Sequence, residues 1–152
     1  MRLTNYSDYA LRTLIYLAVV PDKHELATIS DVADSYQISK SHLTKVIHQL
    51  AQLGYIESIR GKNGGIRLAK APENINLGEV ICHTEPDFAI VPCFDSQNTS
   101  DEALTKSDCR ITPVCKLKPI FWEATQAFIA VLTSHTLADI ISNDISLQSK
   151  LG

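Results

Sequence analysis

Four cysteines stand at positions 82, 93, 109 and 115 of this 152-residue chain, and their spacing limits the chemistry they can do. The N-terminus, Met1-Arg2-Leu3-Thr4-Asn5-Tyr6-Ser7-Asp8, lacks the apolar core and small-residue cleavage site of a secretory signal, so the expected compartment is the reducing cytoplasm. There, thiols serve metals or redox reactions more often than structural disulfides. Fifteen residues separate Cys93 from Cys109, and five separate Cys109 from Cys115. No C-x2–4-C pair exists of the kind that structural zinc sites use. Three soft thiolates in a polar stretch suit iron–sulfur chemistry better. Cys82, between Ile81 and His83, reads instead as a small buried hydrophobe.

A second chemistry is written in charge. The formal net charge is −3, yet residues 39–70 hold Lys40, Lys45, Arg60, Lys62, Arg67 and Lys70 against Glu57 alone, a local +5 that leaves −8 for the remainder. An acidic body with one compact basic segment fits a nucleic-acid grip, because only the contact face must attract phosphate. No run of about 18 apolar residues suggests a membrane span.

The elements that must position these groups follow from periodicity. Residues 7–20 carry apolar side chains at 10, 11, 14, 15, 17 and 18, which predicts a helix capped by Ser7 and stopped by Pro21. A second helix follows Thr28 and Ser30 and buries Ile29, Val32 and Ala33. After a tight connection at Tyr36-Gln37-Ile38, Ser39 caps a third helix, buried on Leu43, Val46, Ile47 and Leu50 and ended by Gly54. Two short helices across so brief a turn have helix-turn-helix spacing. The third helix then presents Ser39, Lys40, Ser41, His42 and Lys45 at the end that enters a major groove. Residues 55–60 and 66–68 flank Gly61-Lys62-Asn63-Gly64-Gly65, a hairpin whose tight turn is expected at Asn63-Gly64. Its tip places Arg60 and Lys62 among glycines, where backbone and charge can approach DNA. Asn63, Gly64 and Gly65 belong to the same contact.

A short helix is predicted over 76–83, and residues 95–108 are almost entirely polar. From about 113–115 to 134 the helical pattern returns with a wide apolar stripe that a small domain cannot cover. Ile120, Ala124, Phe128 and Val131 are therefore expected to meet a second copy of the chain. One short helix over 136–141 is expected to close the fold.

With these residues in place the sequence resembles the Rrf2 family of winged-helix transcription regulators over nearly its whole length. The likeness rests on Leu3-Thr4-x-Tyr6-x-Asp8-Tyr9-Ala10-Leu11-Arg12, Gly54-Tyr55-Ile56, Arg60-Gly61-Lys62-Asn63-Gly64-Gly65-Ile66-Arg67-Leu68, the downstream cysteines and Thr136-Leu137-Ala138-Asp139. Arg60-Gly61-Lys62-Asn63-Gly64-Gly65 and Cys109-x5-Cys115-x-Leu117-Lys118 look nearest to the family's nitric-oxide-sensing repressors. The resemblance implies a homodimer crossed through a long helix. It also implies an iron–sulfur cluster, 4Fe-4S in preference to 2Fe-2S, on Cys93, Cys109 and Cys115. Asp8 of the partner subunit would be the fourth ligand. Read from the residues alone, Asp8 is a helix-start acid paired with Arg12 one turn on. In another branch a histidine three residues past the last cysteine completes the site; here that residue is Lys118, which cannot ligate while charged. The fifteen-residue gap after Cys93 exceeds the family's usual spacing and reads as a surface insertion.

The expected fold is mostly α with a small β-hairpin: a winged helix-turn-helix plus a long C-terminal dimerisation helix. Its expected divisions are 1–84 for DNA, 85–112 for the cluster loop, and 113–152 for dimerisation and a C-terminal helix packing back. The expected function is a repressor that binds a palindromic double-stranded DNA operator and senses nitric oxide, without enzymatic activity. Sensing of iron–sulfur status or cysteine redox state is the alternative within the family, and an iron–sulfur carrier or enzyme the remote one. No nucleotide loop or catalytic triad supports the last.

Overall fold

The computed structural model describes residues 2–20, 26–91 and 109–151. Helix α1 spans Asn5–Val19, α2 Ile29–Tyr36 and α3 Lys40–Gln52. Strands β1 (Ile56–Ile59) and β2 (Gly65–Leu68) form an antiparallel hairpin. Helix α4 (Leu77–Thr84) follows, and beyond residue 108 come α5 (Leu117–Thr133), α6 (Leu137–Ile140) and α7 (Asp144–Leu151). The architecture is mostly α with a two-stranded wing. Among the described residues no helix is long and apolar enough to cross a membrane.

The N-cap of α1 is Thr4, which accepts from the Ser7 amide, so the expected cap at Ser7 is one turn late. Ser7 itself is fully buried inside the helix. Both residue types can cap, and here the more N-terminal one does. Helix α2 begins with a reciprocal capping box between Thr28 and Asp31, which satisfies two amide donors that the first turn leaves open. It ends on Gln37, whose φ of 53° makes it the non-glycine with positive φ among the described residues. That left-handed residue turns the chain sharply into α3. Leu43, Val46, Ile47 and Leu50 of α3 are buried, as the 3.6-residue period requires. Gly54, at φ 74°, breaks the helix and starts the wing.

In the wing, Ile56 pairs with Leu68 and Glu57 with Arg67. The positive φ lies at Gly61 (123°), not at Asn63, because the loop is longer than a two-residue turn; the Gly64 amide donates to the Gly61 carbonyl at 3.0 Å. Gly64 is still required, since a Cβ there would collide with the Ile59 carbonyl. Among the described residues one bridge joins the hairpin to the body: the Ile66 amide donates to the Ala27 carbonyl at 2.7 Å, and the Ala27 amide donates to the Ile66 carbonyl at 3.1 Å.

One core holds these parts together. Leu14, Val32, Leu43, Val46, Leu50, Tyr55, Ile75, Val80 and Leu137 are all at most 2 % exposed. Each large aliphatic side chain so buried contributes about 1.5–3 kcal/mol relative to exposure. Helix α1 is the hub, in contact with α2, α3, α4, α7 and β2.

Helix α5 is different. Of its residues only Thr125 is buried, and its other inward side chains, Phe121, Phe128, Ile129 and Leu132, are half covered by the same chain. The short α6 leads into a further helix, α7, which the sequence pattern did not announce. Its Leu151 packs against the core, and Ser35 of α2 donates to the Leu151 carbonyl at 2.7 Å.

Candidate nucleic-acid interface and cysteine loop

The face of α3 opposite its buried stripe carries Ser41, Thr44, Lys45, His48 and Gln52, all exposed. Ser39, Lys40 and His42 are also exposed at the helix start. Thr44, His48 and Gln52 extend the ridge beyond the residues expected at the helix start. Positions 41, 44, 45, 48 and 52 share one side whenever 43, 46, 47 and 50 face the core. Ser39 stands at the N-cap of α3 without a side-chain bond to the helix amides; its hydroxyl meets that of Ser41 at 2.8 Å. The first-turn amides of α3 thus lack that cap, and a helix N-terminus with open amides favours an anion such as phosphate.

The C-terminal half of α3 is fixed by Tyr55 and His83. Tyr55 is 2 % exposed and its Oη lies 3.0 Å from His83 Nδ1, while Gln49 donates to the His83 carbonyl at 2.8 Å. Burial pushes the Tyr55 hydroxyl pKa up, and Glu79 and Cys82 add to the effect. Lys70, just past β2, lies 4.9 Å above the Tyr55 ring. Recognition helix, wing and α4 are thereby locked as one unit.

In the wing, Arg60, Lys62 and Asn63 are exposed, and Gly64 and Gly65 are partly covered. Arg67 is not a free cation. Its guanidinium holds the Glu57 carboxylate at 2.7 Å on the paired strand. Among the described residues Lys40, Lys45, Arg60 and Lys62 form no ion pair.

Cys109 and Cys115 carry free thiols, the first exposed and the second partly so, on either side of a 3-10 turn over Thr112–Val114. Cys93 lies outside the described residues. Cys82 is exposed, contrary to the buried role expected of it, because α4 buries Leu77, Gly78, Val80, Ile81 and Thr84 and so turns Cys82 outward with Glu79 and His83. Asp8 is paired with Arg12 at 2.9 Å, both about 45 % exposed, and the Arg12 guanidinium lies 5.5 Å over the Tyr36 ring. Among the described residues no three metal-binding side chains come together, so Asp8, Cys109 and Cys115 do not converge within one chain.

Leu117, Ile120, Ala124, Ala127 and Val131 lie exposed along α5 at alternating spacings of three and four. Ile120 and Val131 are 59 and 61 % exposed. A 3.5-residue apolar repeat is the seam along which two helices cross. Phe128 is half-buried instead, lining a cleft with Leu3, Thr4 and residues 85–90 of its own chain. Ala127 is the exposed residue beside it.

A recognition helix with an exposed polar ridge, locked to a basic wing, defines a winged helix-turn-helix transcription regulator. Residues 3–143 match Rrf2, described as an iron-dependent transcriptional regulator, and the chain belongs to that family. It is 52 % identical over 151 residues to the HTH-type transcriptional regulator NsrR of Bacillus licheniformis, covering 99 % of each chain. To the regulator of the same name in Bacillus subtilis it is 52 % identical, over 99 % of this chain and 97 % of that one. Its fold resembles that of CymR, the global cysteine regulator of B. subtilis, with a TM-score of 0.68 at 22 % identity over 94 % of this chain and 98 % of the other.

Proposed function

We propose that this chain is a cytoplasmic, homodimeric repressor that binds a palindromic operator and senses nitric oxide through an iron–sulfur cluster. The observation that carries the reading is the placement of the free thiols of Cys109 and Cys115 directly before the exposed seam of α5. Ligands on that loop lie next to the surface where a second copy would dock. Cys93, Cys109 and Cys115 of one subunit and the partner subunit's Asp8 would hold the cluster, a 4Fe-4S unit in preference to 2Fe-2S. When bound, the cluster supplies iron that reacts with nitric oxide.

The rest is done by the chain itself. Asp8 is the hard ligand among soft ones, and so the weakest attachment. Arg12, one turn away, holds the Asp8 carboxylate in the chain alone. Asp8 thus has two alternative partners, and exchange between them moves the start of α1, which packs on α3. Ser39, Lys40, Ser41, His42 and Lys45 would enter the major groove, while Arg60, Lys62, Asn63, Gly64 and Gly65 would meet phosphate or the minor groove. Residues 1–84 would form the DNA-binding part, 85–112 the cluster loop, and 113–152 the dimerisation and C-terminal part. In a two-fold dimer the half-sites should be centred about 10 base pairs apart or a multiple of it. A useful switch needs the two forms to differ about 10³-fold in operator affinity.

The test is anaerobic reconstitution, followed by absorption and Mössbauer spectra and operator binding before and after nitric oxide. A spectrum that bleaches as operator affinity falls supports the reading. Operator affinity indifferent to the cluster overturns it.

A further inference from the structure

The first turn of α1 is held from two sides by contacts far apart in sequence. On one side, Glu85 accepts from the Thr4 amide at 2.8 Å and from the Thr4 hydroxyl at 3.1 Å. Glu85 is the residue on which α4 ends and from which the chain runs toward Cys93. On the other side, the Tyr6 hydroxyl donates to the main-chain carbonyl of Lys45 at 3.0 Å. Lys45 is in the middle of α3, with its side chain on the ridge that faces away from the core. Thr4, Tyr6 and Asp8 thus gather three things on one helical turn: the base of the cysteine loop, the recognition helix and the carboxylate assigned to the cluster.

The Tyr6 bond is not needed to satisfy an abandoned backbone group. Lys45 lies inside a continuous helix, where its carbonyl has an amide partner one turn on, and the carbonyl's second lone pair takes the Tyr6 hydroxyl. Apolar packing already joins the two helices, through Ala10 and Leu14 of α1 and Leu43, Val46, Ile47 and Leu50 of α3 in the common core. Packing of that kind tolerates small sliding, whereas a directed O–H···O bond fixes where along α3 the first turn of α1 must sit.

We propose that Tyr6 is a positioning residue: its bond to the Lys45 carbonyl conveys a shift of the first turn of α1 to the recognition helix. This rests on the reading above that Asp8 exchanges between the cluster and Arg12. When the turn moves, Lys45 and Ser41 move along the groove with it. Without the hydroxyl, α1 can shift while α3 stays.

The experiment uses the full chain with Tyr6→Phe, which keeps the ring. Operator affinity is measured with and without reconstituted cluster, and amide hydrogen exchange along α3 is followed in both forms. The wild-type comparison comes first: equal operator affinity with and without cluster overturns the functional reading, and the linkage falls with it. Given a cluster-dependent gain in the wild type, Tyr6→Phe should assemble the cluster with an unchanged spectrum and bind operator normally when metal-free. Its gain should be about fivefold smaller, the worth of one ordinary hydrogen bond. Cluster loading should alter exchange in α3 of the wild type more than in α3 of the variant. A full gain in Tyr6→Phe overturns the proposal. So does an equal loss of affinity in both forms, which would make the bond plain packing.

Discussion

Glu57 and Arg67 face each other across the wing, carboxylate to guanidinium at 2.7 Å, from directly paired positions on β1 and β2. Both are about half exposed, so the pair adds at most about 1 kcal/mol to stability. Its larger effect is on charge, because Glu57 removes one cation from the basic segment. Glu57→Gln should therefore strengthen binding to every duplex and steepen the log–log salt dependence by about 0.9. Arg60→Ala or Lys62→Ala should flatten it by a similar amount. Salt titrations on operator and random DNA measure both, and unchanged slopes in all three variants would remove the wing from the interface.

Along α5, Ile120→Asp or Val131→Asp should yield monomers with weak operator affinity, since a charge within an apolar seam is costly to bury unpaired. Phe128→Asp should behave differently. Phe128 lines a cleft of its own chain, so its replacement should lower thermal stability as well. Sedimentation velocity with thermal melts separates the two cases. A Val131→Asp chain that remains dimeric would place the interface elsewhere.

Cys93→Ser, Cys109→Ser and Cys115→Ser should each abolish or strongly destabilise the cluster, while Cys82→Ser should leave it intact. Asp8→Ala should assemble a labile one. Mixing Asp8→Ala with Cys115→Ser protomers should give heterodimers with one complete site and one broken site. Absorption per dimer reads this directly. If Asp8 acted within its own chain, no complete site would form. A cluster indifferent to Cys93→Ser would mean that the long insertion has displaced that ligand.

The Thr136 amide donates to the Asp139 carboxylate at 2.8 Å. This bond holds the Asp139 carboxyl below its ordinary range; desolvation opposes it, and the Thr136 hydroxyl and His135 assist it. A depressed folded-state pKa means the stabilisation is complete above the unfolded value. It is lost as pH falls through the lower folded value. Asp139→Asn should therefore lower the unfolding midpoint at neutral pH and make little difference in strong acid. An equal loss at both pH values would show that charge is irrelevant to the cap.

The elements of the winged helix were legible because α3 keeps a strict 3.6-residue stripe and its breakers, Gln37 and Gly54, lie between clear periods. The start of α1 was misread because Thr4 and Ser7 are both good caps and the apolar pattern begins only at Ala10. Helix α7 had no signal: Asp144–Leu151 has too few apolar residues for a continuous stripe, and Leu151 is held through Ser35 and the core, contacts that no local window contains. Phe128 belongs to the wide apolar stripe of α5 and is half-buried in its own chain. Ala127, one residue earlier, is exposed, and only the packing of Phe128 against residues 85–90 tells the two apart. Cys82 was judged by residue type, although its neighbours Val80 and Ile81 already fix which side of α4 faces inward. For Asp8, sequence could offer a ligand or a partner for Arg12, and the chain alone contains the second.

The bond from Ser35 to Leu151 spans 116 residues, the longest separation of any side-chain hydrogen bond described above. Synthesis proceeds from the N-terminus, so α1, α2, α3 and the wing can assemble from near neighbours while α7 is still to be made. Closing the loop to α7 comes last and adds little once the rest of the core is formed. In the native ensemble this helix should be among the first to detach and the first to lose protection against proteases. Cleavage between α6 and α7 at low protease concentration would then leave the DNA-binding helices folded and report on that final docking step alone.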